Sequence, residues 1–195
     1  MSQQNDLTDY FAAPTYSREE VLASPYPVPP EAGVYGWWFK TLPADIDVSQ
    51  CVHRDELVLL YVGISPSKPP AVGKASKQNI RRRVKLHYAG DASVSTLRKS
   101  LGCLLTEELG IELRRVGTSE RLKFGQGETR LSEWMAENAL VSWVTHPEPW
   151  LLEDELIETQ DLPLNIDGAA NPFTPVLRAT RRGAVARARA LPVVP

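Results

Sequence analysis

Residues 57–64 read Leu57-Val58-Leu59-Leu60-Tyr61-Val62-Gly63-Ile64. An uncharged run of that length, rich in branched side chains, is the pattern of a strand buried on both faces. Residues 34–39, Val-Tyr-Gly-Trp-Trp-Phe, predict a second strand. Residues 139–145, with Val141 and Trp143 on one face, predict a third. Between them the period changes. Ile80, Val84 and His87 or Tyr88 fall on one face of a helix over 79–88, with arginines on the other. Leu97, Leu101, Leu104, Leu105 and Leu109 extend a helix over 93–109 that Gly110 stops. Residues 111–116 and 121–124 form a hairpin around Gly117, and 131–138, 149–159 and the arginine-rich 174–190 are further helices. Prolines 66, 69 and 70 with Gly73 make 65–78 a loop. The fold class expected is α/β or α+β: a small sheet, an inserted hairpin and four or five helices.

The chain has 195 residues, 43% hydrophobic and 24% charged, which excludes collagen-like, coiled-coil and wholly disordered classes. Its net charge of −2 argues against a nucleic-acid binder only as an average. Residues 54–100 hold ten basic against three acidic side chains, residues 101–167 five against fourteen, and residues 168–195 five against none. Residues 1–32 are acidic and carry Pro14, Pro25, Pro27, Pro29 and Pro30, so an extended arm outside the core is expected there. Cys51 and Cys103 are read as free thiols in a reducing cytoplasm, because two cysteines make no disulfide framework. The first ten residues lack a secretory pattern, and no apolar run approaches the ~18–20 residues that span a bilayer.

The chemistry-bearing residues are scattered but ordered. Gly33-Val34-Tyr35 opens the first strand and Tyr61-Val62-Gly63 closes the second. Arg83 follows on the next helix, with His87 one turn later. Leu152-Glu153-Asp154-Glu155-Leu156-Ile157 comes much later, and Asn165 stands twelve positions after Glu153. This ordered set resembles the GIY-YIG nuclease family over residues 33–167. In that family two strands with these triplets precede a helix carrying an essential arginine, a metal-binding glutamate and an asparagine. Ala71-Val72-Gly73 offers a rival second motif without a tyrosine, but residues 57–64 are the better strand.

The resemblance implies a three-stranded sheet flanked by helices with an inserted hairpin. It also implies an endonuclease that hydrolyses DNA phosphodiesters with Mg²⁺ or Mn²⁺. The catalytic set would be Tyr35, Tyr61, Arg83, His87, Glu153 and Asn165, with Glu153 as metal ligand. One carboxylate plus waters is an ordinary Mg²⁺ site, and an arginine fork suits phosphate oxygens. Tyr35 would be a base whose pKa a nearby cation or metal lowers from near 10, with His87 relaying the proton near neutral pH. Tyr61 would hold a phosphate or the water, and Asn165 the local backbone and the glutamate. Lys74, Arg81, Arg82 and Lys85 would bind the nucleic acid, Lys74 standing in for the lysine that often follows the second motif, where this chain has Ile64. The division expected is an arm over 1–32, the nuclease domain over 33–167 and a basic C-terminal helix or tail over 168–195. A homodimer is expected if both DNA strands are cut. A non-catalytic nucleic-acid binder on the same fold and a protein-interaction module are the competing readings.

Overall fold

The computed structural model describes residues 3–72, 76–168 and 170–195. The chain runs α1 (Gln3–Ala12), α2 (Arg18–Leu22), β1 (Gly33–Phe39), β2 (His53–Arg54), β3 (Leu57–Ser65), α3 (Ile80–Ala89), α4 (Thr96–Leu104) and α5 (Thr106–Leu109). It continues through β4 (Arg114–Val116), β5 (Arg121–Lys123), α6 (Gly127–Asn138), β6 (Ala139–Thr145), α7 (Pro149–Thr159) and α8 (Thr174–Ala190). The main sheet has the antiparallel order β2-β3-β1-β6, and β4 with β5 is the separate hairpin. It is therefore a mixed α/β fold with helices flanking an antiparallel sheet, with four strands rather than three. The extra strand is the two-residue β2, too short to leave a pattern in sequence.

Strand β1 is the centre of the sheet and is buried along its whole length. Its alternation sends Tyr35, Trp37 and Phe39 into one core, with Ile80, Val84, Leu97, Leu101 and Met135. Val34 and Trp38 point into a second, smaller core with Leu59, Val62, Leu152 and Leu156. The pairing of β1 with β3 slips once. Trp37 stands opposite Tyr61, but Trp38 stands opposite Leu59. Strand β3 thus carries one extra residue, a β-bulge, and alternation reverses across it. Leu60 and Tyr61 consequently both lean toward the larger core, and Val62 toward the smaller.

The expected extended arm is instead two docked helices. Proline breaks a helix only where it falls inside one; α1 ends before Pro14, and α2 lies between Pro14 and Pro25. A Ser17–Glu20 capping box, legible in sequence as Ser-x-x-Glu, starts α2. Tyr10, Val21 and Val28 are buried core residues. Arg54 lies over the Trp38 ring and donates to the carbonyls of Phe11 and Ala13, fixing the end of α1. The helix expected over 93–109 breaks at Leu105 into α4 and α5.

Inside the larger core Arg98 is fully buried and ion-paired to Glu128 at 2.7 Å. It also donates to the His87 and Tyr88 carbonyls, so one guanidinium ties the last turn of α3 to α6. The hairpin clasps the C-terminal segment: the Val194 N–H donates to the Arg115 carbonyl, and Arg115 donates to the Leu191 carbonyl.

A Cβ at Gly36 would fall 2.2 Å from the Tyr10 hydroxyl, which has no hydrogen-bond partner among the described residues. Gly36→Ala should therefore destabilise the fold by ~1–3 kcal/mol in urea melts. Adding Tyr10→Phe should recover part of that loss in a double-mutant cycle, leaving the 2.9 Å contact with Leu59. Simple additivity of the two changes would contradict the docking of α1.

Candidate active site

The two motif tyrosines come together because β1 and β3 pair with Gly63 opposite Tyr35 and Tyr61 opposite Trp37, which puts Tyr61 on the face of Tyr35. Gly63 is required by this packing: a Cβ there would lie 2.6 Å from the Tyr35 hydroxyl. Leu57–Ser65 is the strand that carries the second motif, whereas Val72 of the rival Ala71-Val72-Gly73 is almost fully exposed in a turn.

Helix α3 starts at the Asn79 cap, whose side chain accepts from the Arg82 N–H. Its inward face carries Arg83 and the fully buried His87. The Tyr35 hydroxyl lies 2.9 Å from His87 Nε2, and His87 Nδ1 lies 2.7 Å from Ser95 Oγ. A phenol is the natural donor to an imine nitrogen, which places the imidazole proton on Nδ1, facing Ser95. Ser95 Oγ also caps α4 by accepting from the Arg98 N–H.

Burial, helped by the charges of Arg83 and Arg98, holds the His87 pKa well below its ordinary value, so the ring is a neutral acceptor. Burial also pushes Tyr35 well above its ordinary value, and Tyr61 adds to it; the lowering by Arg83 is smaller. The expected lowering of Tyr35 by a neighbouring cation is thus reversed, because desolvation of a phenolate outweighs one partly screened guanidinium. Tyr61 is raised too, mainly by burial and against its hydrogen bond with Thr96. Burial works against the Arg83 charge, but Tyr35 and Tyr61 more than offset it and the pKa rises. Arg83 also donates to the Val94 carbonyl at 2.9 Å.

Tyr61 opens onto a cavity of about 1180 Å³, which Glu153 and Asn165 also line. Glu153 rides on α7, which Pro149 begins and whose Leu152 and Leu156 seat it on the sheet. Its carboxyl is half-buried, with no hydrogen bond or ion pair among the described residues. Burial, with Asp154 next to it, pushes its pKa up to about 7. Tyr35, Arg83 and His87 lie behind this lining rather than in it. Asn165 does not touch Glu153. It clamps the free edge of β3, Oδ1 accepting from the Val62 N–H at 2.9 Å and Nδ2 donating to the Val62 carbonyl at 3.0 Å. The neighbouring Leu164 N–H takes the carbonyl of the bulged Leu60.

The remaining sequence candidates lie elsewhere. Arg81, Arg82 and Lys85 border a separate shallow pocket on the outer side of α3. Arg81 donates to the Val28 carbonyl, and Lys85 sits 3.0 Å over the Tyr26 ring. Lys74 falls outside the described residues. Thr96 and Lys99 of α4, which sequence reasoning did not single out, also face the cavity, and so does Arg181 of the arginine-rich C-terminal helix, which donates to Ser100 Oγ at 3.3 Å. The recurrence of arginine at 178, 181, 182 and 189 was the available signal, but only packing shows which way that face points.

Because folded His87 resists protonation, falling pH favours the unfolded chain, which binds the extra proton once pH drops below ~6.5. The stability of wild type relative to His87→Gln should therefore fall below that pH, by up to ~1.4 kcal/mol per unit. Paired urea melts at several pH values test this; a constant difference would show a His87 that protonates freely. Asn165→Ala should cost ~1–3 kcal/mol, because it strands both backbone groups of Val62.

A family model described as GIY-YIG catalytic domain matches residues 33–183. No curated protein and no solved structure gives a significant match.

Proposed function

The chain belongs to the GIY-YIG family, and on that premise we propose that it is an endonuclease hydrolysing DNA phosphodiester bonds with Mg²⁺ or Mn²⁺ held at Glu153. What carries the reading is one juxtaposition: the Tyr61 and Glu153 side chains share an open cavity, directly in front of Tyr35, Arg83 and His87. These residues are far apart in sequence, and no requirement of core packing draws a glutamate without a partner to that spot.

A half-buried carboxylate facing open space fits a hard divalent ion that keeps most of its waters. No group of three His, Cys, Asp or Glu side chains poised for a metal occurs among the described residues, so a softer ion that needs a full protein cage fits poorly. When bound, a divalent ion would stabilise charge on a phosphoryl oxygen and supply an activated water.

The chain's own residues do the rest. Arg83, kept charged between two tyrosines behind the cavity lining, stabilises through space the negative charge of a phosphate held at Tyr61. Tyr61 stays a neutral hydroxyl at neutral pH and donates to phosphate at the cavity wall. Tyr35 is too costly to ionise in its buried place, so it acts as a relay: a proton accepted at its oxygen is matched by one passed to His87 Nε2, and burial, which disfavours the charged ring, returns that proton through Tyr35 to the leaving oxygen. Asn165 acts through the backbone of β3, holding Tyr61 in place.

The test is nicking of supercoiled plasmid by the purified chain. Activity should need Mg²⁺ or Mn²⁺, drop by at least ~10²-fold in Glu153→Gln, and drop ~10²–10⁴-fold in His87→Gln. Equal nicking by wild type and Glu153→Gln would end the proposal. A DNA binder without catalysis is the second reading, favoured by Ile64 in place of the family's frequent lysine and by the burial of Tyr35. It requires DNA affinity with no metal-dependent nicking.

A further inference from the structure

The cavity in front of Glu153 has walls of opposite sign. Glu153, Asp154 and Glu158 of α7 line one side; Lys99 of α4 and Arg178, Arg181, Arg182 and Arg189 of α8 line the other. The four arginines cluster on one face of α8, and Leu177, Ala184 and Ala188 on the adjoining face are buried in the larger core. The orientation of the arginines is therefore fixed by packing.

Both ends of the helix are tied down. Arg178 donates to the Ile166 carbonyl, and beyond the C-terminal end the hairpin holds Leu191 and Val194. The basic C-terminal helix is a rigid wall.

Its charge is unbalanced. None of the four arginines forms an ion pair among the described residues, although acidic side chains line the same cavity. Lys99 is packed beside Arg181, and burial together with that charge lowers its pKa. Like charges crowded on one wall are costly unless an anion comes between them. The cavity, at about 1180 Å³, exceeds the ~300–1,000 Å³ of small-molecule sites and is open at the side, which suits a polymer. From Arg178 to Arg189 the helix advances ~16 Å, the axial rise of roughly five nucleotides.

We propose that α8 is the DNA-holding wall of this cleft: Arg178, Arg181, Arg182 and Arg189, with Lys99, bind the backbone phosphates flanking the scissile bond, in place of the outer face of α3. This rests on the nuclease reading for the identity of the polyanion. The opposing signs give the strand one orientation, with phosphates against α8 and α4 and away from the carboxylates of α7.

The experiment is fluorescence anisotropy of the full chain with a labelled duplex of about 30 base pairs, in EDTA, across about 50–200 mM KCl. Arg182 and Arg189 are exposed and make no bond within the protein among the described residues, so their substitution leaves the fold intact. Arg182→Gln with Arg189→Gln should weaken binding at least ~5-fold and flatten the salt dependence by ~1–2 units of slope. Arg121→Gln, on the exposed hairpin, removes the same charge as Arg182→Gln and should leave affinity unchanged. Unaltered affinity in the α8 variants, an equal loss in Arg121→Gln, or no binding by wild type even at low salt would each overturn the proposal.

Plasmid nicking keeps the two ideas apart. Binding that depends on α8 without metal-dependent nicking removes the nuclease reading and leaves the wall standing. Nicking that is unimpaired in the α8 variants does the reverse.

Discussion

The register of β3 against β1, with the extra residue that β3 carries opposite Trp37 and Trp38, governs the rest of the site. Gly63 stands opposite Tyr35 and Tyr61 opposite Trp37, so regular alternation on this side of the bulge puts Tyr61 on the face of Tyr35. Both hydroxyls thus lie on the side where α3 presents Arg83 and His87, and next to Tyr61 the bulge reverses the alternation and turns Leu60 to that core as well. The bulge also leaves the Leu60 carbonyl without a ladder partner, and the Leu164 N–H takes it. The register therefore places the tyrosine, and the slip beside it recruits the 164–165 segment that closes the cleft. Asn165 completes that closure by behaving as a short stretch of strand against Val62.

Burial then divides the site into two electrostatic zones. Tyr35 and His87 sit in a sealed layer where desolvation keeps both neutral, so their shared hydrogen bond is a path for a proton rather than an ion pair. Tyr61, Glu153 and the α8 arginines face water and hold the charges a polyanion would meet. Arg83 stands between the zones. Gly63 allows the layers to pack at this distance, since any side chain there would push the Tyr35 ring away. The inserted hairpin has a comparable supporting role, because by holding the C-terminal segment it keeps α8 against α4.

Much of the scaffold was legible in the residues. The strands at Gly33–Phe39, Leu57–Ser65 and Ala139–Thr145 and the helices at Ile80–Ala89, Pro149–Thr159 and Thr174–Ala190 follow from burial runs and periodicity. Residues 3–32 form helices and not an extended arm because the prolines fall between α1 and α2 and after α2, and Ser17 with Glu20 spells a helix start between them. Strand β2 was invisible because two residues have no period. No sequence pattern marks Arg98 as buried, and its guanidinium is satisfied by carbonyls and Glu128 brought in by other elements.

The sequence by itself determined the alternating and helical elements and the order of the motif residues, because local periodicity and residue chemistry are properties of short stretches. Only the tertiary structure decided the register of β3, the direction of each ionisation shift and the placing of Arg181 and Lys99 across from Glu153. Those outcomes depend on which surfaces lose water to one another. A chain of residues does not fix that until a bulge, a buried arginine and a docked C-terminal helix have settled their neighbours. The near-neutral net charge is the clearest case. In sequence it is a cancelled average, and in the fold it separates into two facing walls of opposite sign.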